Sequence, residues 1–485
     1  MNISPESHGI PSERLEELLR RLDSERVSMH SLLVARGDDI VLNAYWAPFT
    51  KDTLHRMNSV TKSYVSLAIG CLIEEGRVSL DDKVIKFFPE ACEYAVNDKQ
   101  AELTVRELLT MRTGYRPEGN GHWVRDKKYQ RNKDFFERVP RAESSADFYY
   151  DSTGSYVLGA IVEKLTGGSF LNYLKDKFLR KIGFSESSDC IMGAEGYSWS
   201  DSGLLCTTED LYKTLRFIAK RGVTDGVGYL SENYLSDAVA DHVSTADNKK
   251  YCDYGYGYQI WRARDGGFMF VGMYCQFAMY LPSKDFYVCC TADNRLVEPV
   301  RRLIFETFYD IADSMCDSPL AENPEALDSL NTYVGNLALA SLPEATLTDE
   351  IAAVLGRDYR LSENPMGIER IRVTREGERI RLSYTNAQGD KEIAAGIGYN
   401  EFSEFPEDGY PDMVIGQCGA YRYPIAASAT VEGESLKILI QFIGKHLAAL
   451  TVTITPQSGA LNIRMDRTTE CFLHTYKGEA QGTAI

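Results

Sequence analysis

A serine and a lysine that could act together stand three residues apart in the segment Arg-Met-Asn-Ser-Val-Thr-Lys-Ser, residues 56–63. They are Ser59 and Lys62, and an apolar, helix-like run follows at residues 64–73. Residues three apart on a helix share one face, so the Lys62 amine can come within hydrogen-bond reach of the Ser59 hydroxyl. Because serine is a weak nucleophile until its proton is removed, the pair indicates acyl transfer through a serine ester. The four-residue pattern also arises by chance, so the rest of the chain has to support it.

Tyr150 lies in a second polar segment, residues 147–156, where a loop leads into a predicted helix. A tyrosine hydroxyl beside a lysine ammonium can act as a general base to serine and then as an acid to the leaving group. Taken alone, Tyr150 is more typical of a packed aromatic side chain. Its catalytic interpretation therefore depends on Ser59 and Lys62.

The composition is typical of a soluble globular protein with two or three domains. Of the 485 residues, 44% are hydrophobic and 25% are charged, and the net charge is −17. Such a charge repels phosphate backbones and anionic lipid surfaces, so we do not expect nucleic acid as a partner. The eleven cysteines include no C-x-x-C pair and are predicted to be reduced, mostly buried thiols.

Targeting and cofactor signals are not visible in the sequence. The first residues lack a basic start followed by an apolar run, and no stretch reaches the ~20 apolar residues that a membrane span needs. We therefore expect a cytoplasmic protein with no membrane span. H-E-x-x-H, P-loop and dinucleotide-binding patterns are also absent, so we expect no metal and no cofactor.

The hydrophobic periodicity predicts an α+β fold for a first domain, residues 1–316. Leucines at helical spacing over residues 15–22 predict an amphipathic helix, and runs at 31–36 and 40–46 predict two antiparallel strands. Helical patterns dominate about residues 80–190, which we interpret as an all-helical subdomain inserted into a sheet flanked by helices. Strand patterns then return at residues 256–261, 276–281 and 286–291.

A polar stretch with two prolines predicts a linker at residues 317–330. Beyond it, strand-like segments recur at short intervals with turn signals between them. This spacing predicts a C-terminal β-rich domain, residues 331–485, built as an up-and-down antiparallel sheet or a small barrel.

Several segments together resemble the serine β-lactamase and penicillin-binding-protein superfamily, in its class C β-lactamase, D,D-peptidase and esterase-like branch. The resemblance covers about residues 10–315. Segment 57–63 is similar to the first motif of the family, and Tyr150-Asp151-Ser152 stands where the second motif, Y-x-N, is expected. Further similar segments follow the family order at residues 80–84, 88–90, 103–114 and 203–211.

The resemblance implies a role for each matched residue. Ser59 would be the acylated nucleophile, Lys62 the proton acceptor or the electrostatic partner of the base, and Tyr150 the base and later the acid. Members of the family differ on whether lysine or tyrosine is the base, and both alternatives stay open here. The oxyanion hole would combine the Ser59 N–H with an N–H on the strand that carries the third motif.

The third motif is where this chain departs from the family pattern. Phe270-Val271-Gly272 stands where K-T-G or H-x-G is expected, so the glycine is present and the cation is not. An aromatic ring cannot replace the charge-assisted contact that this cation makes with a substrate carboxylate. Met273 N–H is the expected second oxyanion donor, although Gly272 could also simply relieve crowding in a strand. In the second motif, Ser152 replaces an asparagine that in the family typically bonds the side-chain amide of the substrate. The resemblance thus implies an oxyanion and substrate-binding region formed by Ser59, Ser152, Phe270, Gly272 and Met273.

Aromatic residues near these motifs are candidates for an apolar acyl pocket, although such residues are also common in plain cores. His122 is more typical of a surface histidine. The pocket candidates are Trp123, Tyr149, Tyr254 and Tyr274.

The sequence thus predicts a serine hydrolase that acts on a small-molecule ester or amide, as an esterase, amidase, peptidase or weak β-lactamase. The alternative is a hydrolase fold with a decayed active site that binds a ligand or partner. Similar hydrolases sometimes carry a lipocalin-like barrel that covers the active-site mouth or mediates assembly. Residues from about 331 onward are compatible with such a barrel, and a homo-oligomer is compatible with that role.

Overall fold

The computed structural model describes residues 3–115, 130–138, 147–193, 195–245, 254–294, 297–407, 422–445, 447–468 and 476–485. The chain forms two compact units, Met1–Ala338 and Leu339–Ile485. The predicted residues His122 and Trp123 lie outside the described ranges. No helix in these ranges is both long enough and apolar enough to cross a membrane.

The first unit is built on a six-stranded antiparallel sheet with the order β2-β1-β11-β10-β9-β8. A smaller sheet of order β3-β5-β4 and a β6–β7 hairpin complete its described strands. The strands are β1 Met29–Arg36, β2 Asp39–Tyr45, β3 His55–Arg56, β4 Asp189–Cys190, β5 Leu204–Cys206, β6 Val223–Thr224, β7 Val227–Gly228, β8 Trp261–Arg262, β9 Phe268–Gly272, β10 Gln276–Leu281 and β11 Phe286–Ala292.

Helices cover both faces of the large sheet, and a group of short helices is inserted between β3 and β4. This arrangement confirms the predicted α+β fold with an inserted helical subdomain. The helices are α1 Ser12–Ser24, α2 Thr61–Glu74, α3 Asp98–Glu102, α4 Val105–Leu109, α5 Arg131–Glu137, α6 Ser152–Thr166, α7 Phe170–Leu174, α8 Thr208–Ala219, α9 Glu232–Ala238, α10 Val297–Ser314 and α11 Pro324–Gly335.

Strand β9 shows how the sheet separates two cores. Because side chains alternate along a strand, Phe268 and Phe270 join the core that contains α2 and α8. Met269 and Val271 point to the opposite face and join the core that contains α1 and α10. Helix α2, which follows Ser59, and the end of β9 therefore pack in the same core.

The second unit contains a sheet of ten described strands, nine of which, all but β16, close into a barrel. The barrel alternative of the C-terminal prediction is therefore confirmed. Neighbouring strands pair antiparallel, and a parallel pairing between β15 and β17 closes the cylinder. Its elements are α12 Asp349–Val354, β12 Asp358–Leu361, β13 Arg370–Glu376, β14 Arg379–Asn386, β15 Gly389–Ile397, β16 Glu401–Glu404, β17 Pro424–Glu432, β18 Ser435–Ile443, β19 Leu447–Gln457, β20 Ala460–Thr468 and β21 Gly478–Ala484.

The division between the units lies after Ala338, whereas the sequence placed a linker at 317–330 and the second domain from 331. The physical reason is helix α11, which belongs to the first unit. Its Leu330 is fully buried in the core shared with α1 and α10. The polar surface of this helix resembles a linker in composition, and only its packing reveals its place.

The predicted strand at residues 256–261 is mostly irregular, since only Trp261 at its end enters a strand. Gln259 interrupts it with a left-handed backbone, φ +57°. A sequence rich in tyrosine and tryptophan favours a strand, but here the segment forms hydrogen bonds with residues of α2 and α4 through Gln259.

A buried pair of histidines links β1 to β3, immediately upstream of Ser59. His30 Nδ1 and His55 Nε2 are 2.8 Å apart, and His30 stacks on Phe49 with ring centroids 3.9 Å apart. His55 Nδ1 bonds to Arg56 O over 3.0 Å. Burial lowers the pKa of His55 to about 4, so His55 is neutral near pH 7.

This pair should make folding stability depend on pH. The His55 pKa is about 4 in the folded chain and about 6.5 in an unfolded one, so the unfolded chain binds more protons between these values. The free energy of unfolding should therefore fall by up to about 1.4 kcal/mol per pH unit as the pH drops from about 6.5 to 4. Urea denaturation of wild type and His55→Gln tests this: the variant should lose less stability over this interval, and equal slopes would contradict the assignment.

Candidate active site

Ser59 is the single partly exposed residue in a buried stretch that runs from His55 to Leu72. It lies in a short 3-10 turn, Asn58–Val60, immediately before α2 begins. Its neighbours on both sides are enclosed in the core. The fold thus presents one hydroxyl of this stretch to the surroundings.

The backbone around Ser59 is tied to two sheets. Met57 N donates to Leu204 O over 2.8 Å, and Leu204 N donates to Thr61 Oγ1 over 3.0 Å. On the other side, a Cβ added to Gly272 would lie 2.4 Å from Met57 O, closer than real Cβ contacts. Glycine is needed at the end of β9 because this backbone comes so near.

Lys62 directs its amine at the candidate nucleophile. Its Nζ is 3.0 Å from Ser59 Oγ and 2.7 Å from Asp201 O, and the residue is 1% exposed. The Asp201 carboxylate is in turn ion-paired with Arg131, with N–O distances of 2.6 and 3.3 Å. The carbonyl that holds the lysine is therefore fixed by a buried ion pair on its own side chain.

Tyr150 packs beside Lys62 and is partly buried. The Lys62 Nζ lies 5.1 Å from the centroid of the Tyr150 ring, within cation–π range. The Tyr150 ring also stacks on the Trp261 ring, with ring centroids 5.8 Å apart and ring planes inclined by 21°. Within the described ranges no direct hydrogen bond joins the Tyr150 hydroxyl to Ser59 or Lys62, and such contacts often tighten only when substrate binds.

The backbone on both sides of Tyr150 is anchored on one residue, Met111. Tyr149 N donates to Met111 O over 2.9 Å, and Asp151 N donates to Met111 Sδ over 3.2 Å. Met111 itself adopts a left-handed φ of +56° and is buried. These contacts fix where the Tyr150 ring emerges.

Asp151 caps the N-terminus of α6, and its carboxylate forms hydrogen bonds and an ion pair within the fold. Its carboxylate accepts from Thr153 N at 3.0 Å and from Thr113 Oγ1 at 3.2 Å. It also forms a two-point ion pair with Arg138, one contact measuring 3.2 Å, with side chains 1% and 4% exposed. Ser152 begins the helix and stays partly exposed.

Gln259 connects α2, the helix that follows Ser59, to α6, the helix that follows Tyr150. Its carbonyl accepts from Ser63 Oγ on α2 at 2.8 Å, and its Oε1 accepts from Ser155 Oγ on α6 at 2.5 Å. Its Nε2 donates to the carbonyls of Leu108 and Leu109, 2.8 and 3.1 Å away. A single buried residue therefore contacts three helices, α2 through its backbone carbonyl and α4 and α6 through its side chain.

Arg301, on α10, is a second buried basic residue near Tyr150. Burial lowers the pKa of Arg301 to about 9, and its electrostatic interaction with Tyr150 opposes that shift. The residue is 5% exposed.

The structure separates the residues that were predicted from the third motif. Phe270 is 0% exposed and packs on Tyr64 with centroids 6.1 Å apart, so its side chain belongs to the core. Met273 and Tyr274 are partly exposed beyond Gly272, in a turn where Tyr274 has φ +65°. Only this turn, and not the Phe270 ring, lies at the surface.

Of the predicted residues, Ser59, Lys62 and Tyr150 are brought together. Tyr254 is 47% exposed and has no contact with the other three among those described. Within the described ranges, no group of three or more His, Cys, Asp or Glu side chains is placed to hold a metal ion.

Sequence reasoning missed Asp201, Gln259 and Trp261, which hold the candidate site together. The Asp201 contact uses a backbone carbonyl, which no side-chain pattern signals. Trp261 was read as part of a strand pattern. A signal did exist for Gln259, because it is flanked by glycine and aromatic residues in a segment that is too irregular for a regular strand.

Comparison with known proteins places these residues in a family. A family model described as Beta-lactamase matches residues 15–295. The 6-aminohexanoate-dimer hydrolase of Paenarthrobacter ureafaciens is 25% identical over 254 residues, which are 49% of this chain and 64% of that protein. Esterase EstB of Burkholderia gladioli is 32% identical over 155 residues, 28% of this chain and 38% of the relative. The chain thus spans less than two thirds of the length of these curated relatives.

A solved structure shares the fold of the first unit. It is described as EstCE1, a hydrolase with promiscuous acyltransferase activity, and superposes with a TM-score of 0.51 at 16% identity. The superposition covers 62% of this chain and 97% of that chain. At this identity the likeness concerns the fold alone.

The buried ion pair between Arg138 and Asp151, the residue after Tyr150, should contribute strongly to the free energy of unfolding. Arg138→Met leaves the Asp151 carboxylate buried without its cation, which should cost about 3–5 kcal/mol. Adding Asp151→Asn keeps a capping side chain and removes the stranded charge, so the double variant should be more stable than Arg138→Met. Urea denaturation measures both, and a loss below about 1 kcal/mol for the single variant would contradict this role.

Proposed function

The chain belongs to the beta-lactamase family, and we propose that it is a serine hydrolase that cleaves an ester or amide through an acyl-enzyme on Ser59. The observation that carries the proposal is the 3.0 Å contact between Lys62 Nζ and Ser59 Oγ, at the one partly exposed position of a buried stretch. Relatives named as a dimer hydrolase and an esterase support hydrolase chemistry.

In the first step, Ser59 Oγ attacks the carbonyl carbon of the substrate. Its proton passes to the Lys62–Tyr150 pair, and the carbonyl π electrons move to the oxygen to form a tetrahedral intermediate. Lys62 holds the hydroxyl in place, and Tyr150 lies beside Lys62, so either group of the pair can serve as the proton acceptor. The burial of the lysine keeps bulk water from competing for these contacts.

The negative oxygen of the intermediate needs donors that are already in position. We assign them to the backbone N–H groups of Ser59 and Met273. Ser59 precedes the start of α2, where unpaired N–H groups and the helix dipole favour negative charge. Met273 follows Gly272, whose missing side chain lets β9 approach the nucleophile.

When the intermediate collapses, the bond to the leaving alkoxide or amine breaks and the proton held by the Lys62–Tyr150 pair goes to it. Water then attacks the Ser59 ester, giving its proton to the same pair, and the acid is released with Ser59 restored. Each step uses groups that this chain supplies, and the proton is returned at the end.

The substrate class follows from the third motif. Phe270 stands where relatives place a cation, and its ring is enclosed in the core. A substrate carboxylate would find no charge-assisted partner at this position. We therefore propose esters and amides without a carboxylate at that place, in preference to β-lactam antibiotics.

Replacing the nucleophile tests the proposal. Ser59→Ala should lower kcat/KM for a p-nitrophenyl alkanoate by at least about 10³-fold, because no other group can form the ester. Ser66→Ala is the matched control: it removes a hydroxyl from α2, the helix that follows Ser59, and this hydroxyl contacts the Tyr234 hydroxyl instead of Lys62. Activity of the control should stay within a few-fold of wild type.

Two results would count against the proposal. Ser59→Ala that retains wild-type turnover would show that another group does the chemistry. A folded wild type that turns over no ester, amide or β-lactam in a broad screen would favour the decayed-site alternative.

A further inference from the structure

The carbonyl of Met273 is held by two side-chain amides. Asn58 Nδ2 donates to it over 2.9 Å and Gln276 Nε2 over 3.1 Å. Asn58 directly precedes Ser59, and Met273 carries the other proposed oxyanion donor. One side chain therefore reaches from the nucleophile segment to the turn after β9.

The Gln276 side chain, the second of the two amides that hold the Met273 carbonyl, is fixed by further contacts. Its Nε2 also donates to Ala292 O over 2.7 Å, its Oε1 accepts from Ala292 N over 3.1 Å, and it is 0% exposed. The turn itself is unusual, since Tyr274 and Cys275 both have positive φ, +65° and +77°. Two successive left-handed residues need such outside support to persist.

Asn58 carries two locally unfavourable features. Its backbone is left-handed, φ +48°, and the residue is 1% exposed. Its Oδ1 is buried and accepts no hydrogen bond within the described part of the chain. A stranded acceptor and a left-handed backbone both cost folding free energy, so stability alone does not explain this residue.

We propose that Asn58 is a positioning residue of the oxyanion hole, which sets the distance between the N–H groups of Ser59 and Met273. This rests on the serine hydrolase function proposed above. The Asn58 backbone is joined to the Ser59 N–H through one peptide unit, and its amide holds the carbonyl of the residue that bears the other N–H. Losing the hydrogen bond from Asn58 Nδ2 to Met273 O leaves both N–H donors present but misplaced. Such donors stabilise the negative oxygen of the intermediate only when they lie within hydrogen-bond distance of it.

The test compares two variants with a control. Asn58→Gly keeps the left-handed backbone without strain and removes the amide. Asn58→Asp keeps the shape but replaces the donor with an acceptor, so it serves if the glycine variant folds poorly. Asp225→Gly is the control, because it makes the same kind of change at an exposed left-handed residue, φ +50°, in the β6–β7 hairpin.

The readout is the rate on an ester compared with its thionoester, in which sulfur replaces the carbonyl oxygen. Sulfur fits a pair of N–H donors poorly, so an intact hole favours the ester. In both Asn58 variants kcat for the ester should fall about 10–100-fold with KM within about twofold, while the thionoester rate falls much less. Thermal denaturation of Asn58→Gly should stay close to wild type.

The outcomes separate this inference from the proposed function. If ester and thionoester rates fall together in the Asn58 variants, or if kcat is unchanged, the positioning role is overturned while the hydrolase stands. If Ser59→Ala hydrolyses the ester as well as wild type does, the proposed function is overturned, and this role with it.

Discussion

The placement of the Lys62 amine inside the protein is the constraint on which the rest of the site depends. An ammonium group loses most of its hydration at 1% exposure, so its contacts have to replace water. Here they are Ser59 Oγ, the Asp201 carbonyl and the face of the Tyr150 ring. The three partners come from separate parts of the chain, so the lysine is satisfied only when the helical subdomain and the sheet have assembled around it. Because these contacts must replace the water that the buried amine loses, they also fix the position of the amine relative to Ser59 Oγ.

Tyr150 shows how the rest of the fold serves this geometry. Met111 anchors the backbone on both sides of it, and Asp151 ties the next residue to Arg138. Gln259 then fixes α6 relative to α2 through contacts below 3 Å. Few of these groups can touch a substrate. Their effect is to hold the Ser59 hydroxyl, the Lys62 amine and the Tyr150 ring at fixed distances. In enzymes generally, such preorganisation of reacting groups is a large source of rate.

Much of the candidate site was predictable, because its first half is local in sequence. Ser59 and Lys62 are related by helix geometry alone, and the measured 3.0 Å contact is what a spacing of three residues allows. Hydrophobic period and turn signals predicted a two-part fold whose C-terminal part is an antiparallel sheet or a small barrel, without deciding between the two. What the sequence did not reveal depends on tertiary packing: the Asp201 carbonyl, the left-handed backbones of Asn58 and Gln259, and helix α11, whose polar composition resembled a linker. The Phe270 side chain was expected beside the substrate, and its place in the core is decided by which face of β9 it occupies.

The central claim is that Ser59 is a nucleophile activated by Lys62. Mass spectrometry after reaction with a fluorophosphonate probe tests it most directly, using the folded full chain, its heat-denatured form and a Lys62→Met variant. We expect one adduct, on the tryptic peptide that contains Ser59, at full occupancy in the folded protein and strongly reduced in the other two samples. An adduct on a different residue, or equal labelling of Ser59 when Lys62 is replaced in a folded variant, would contradict it.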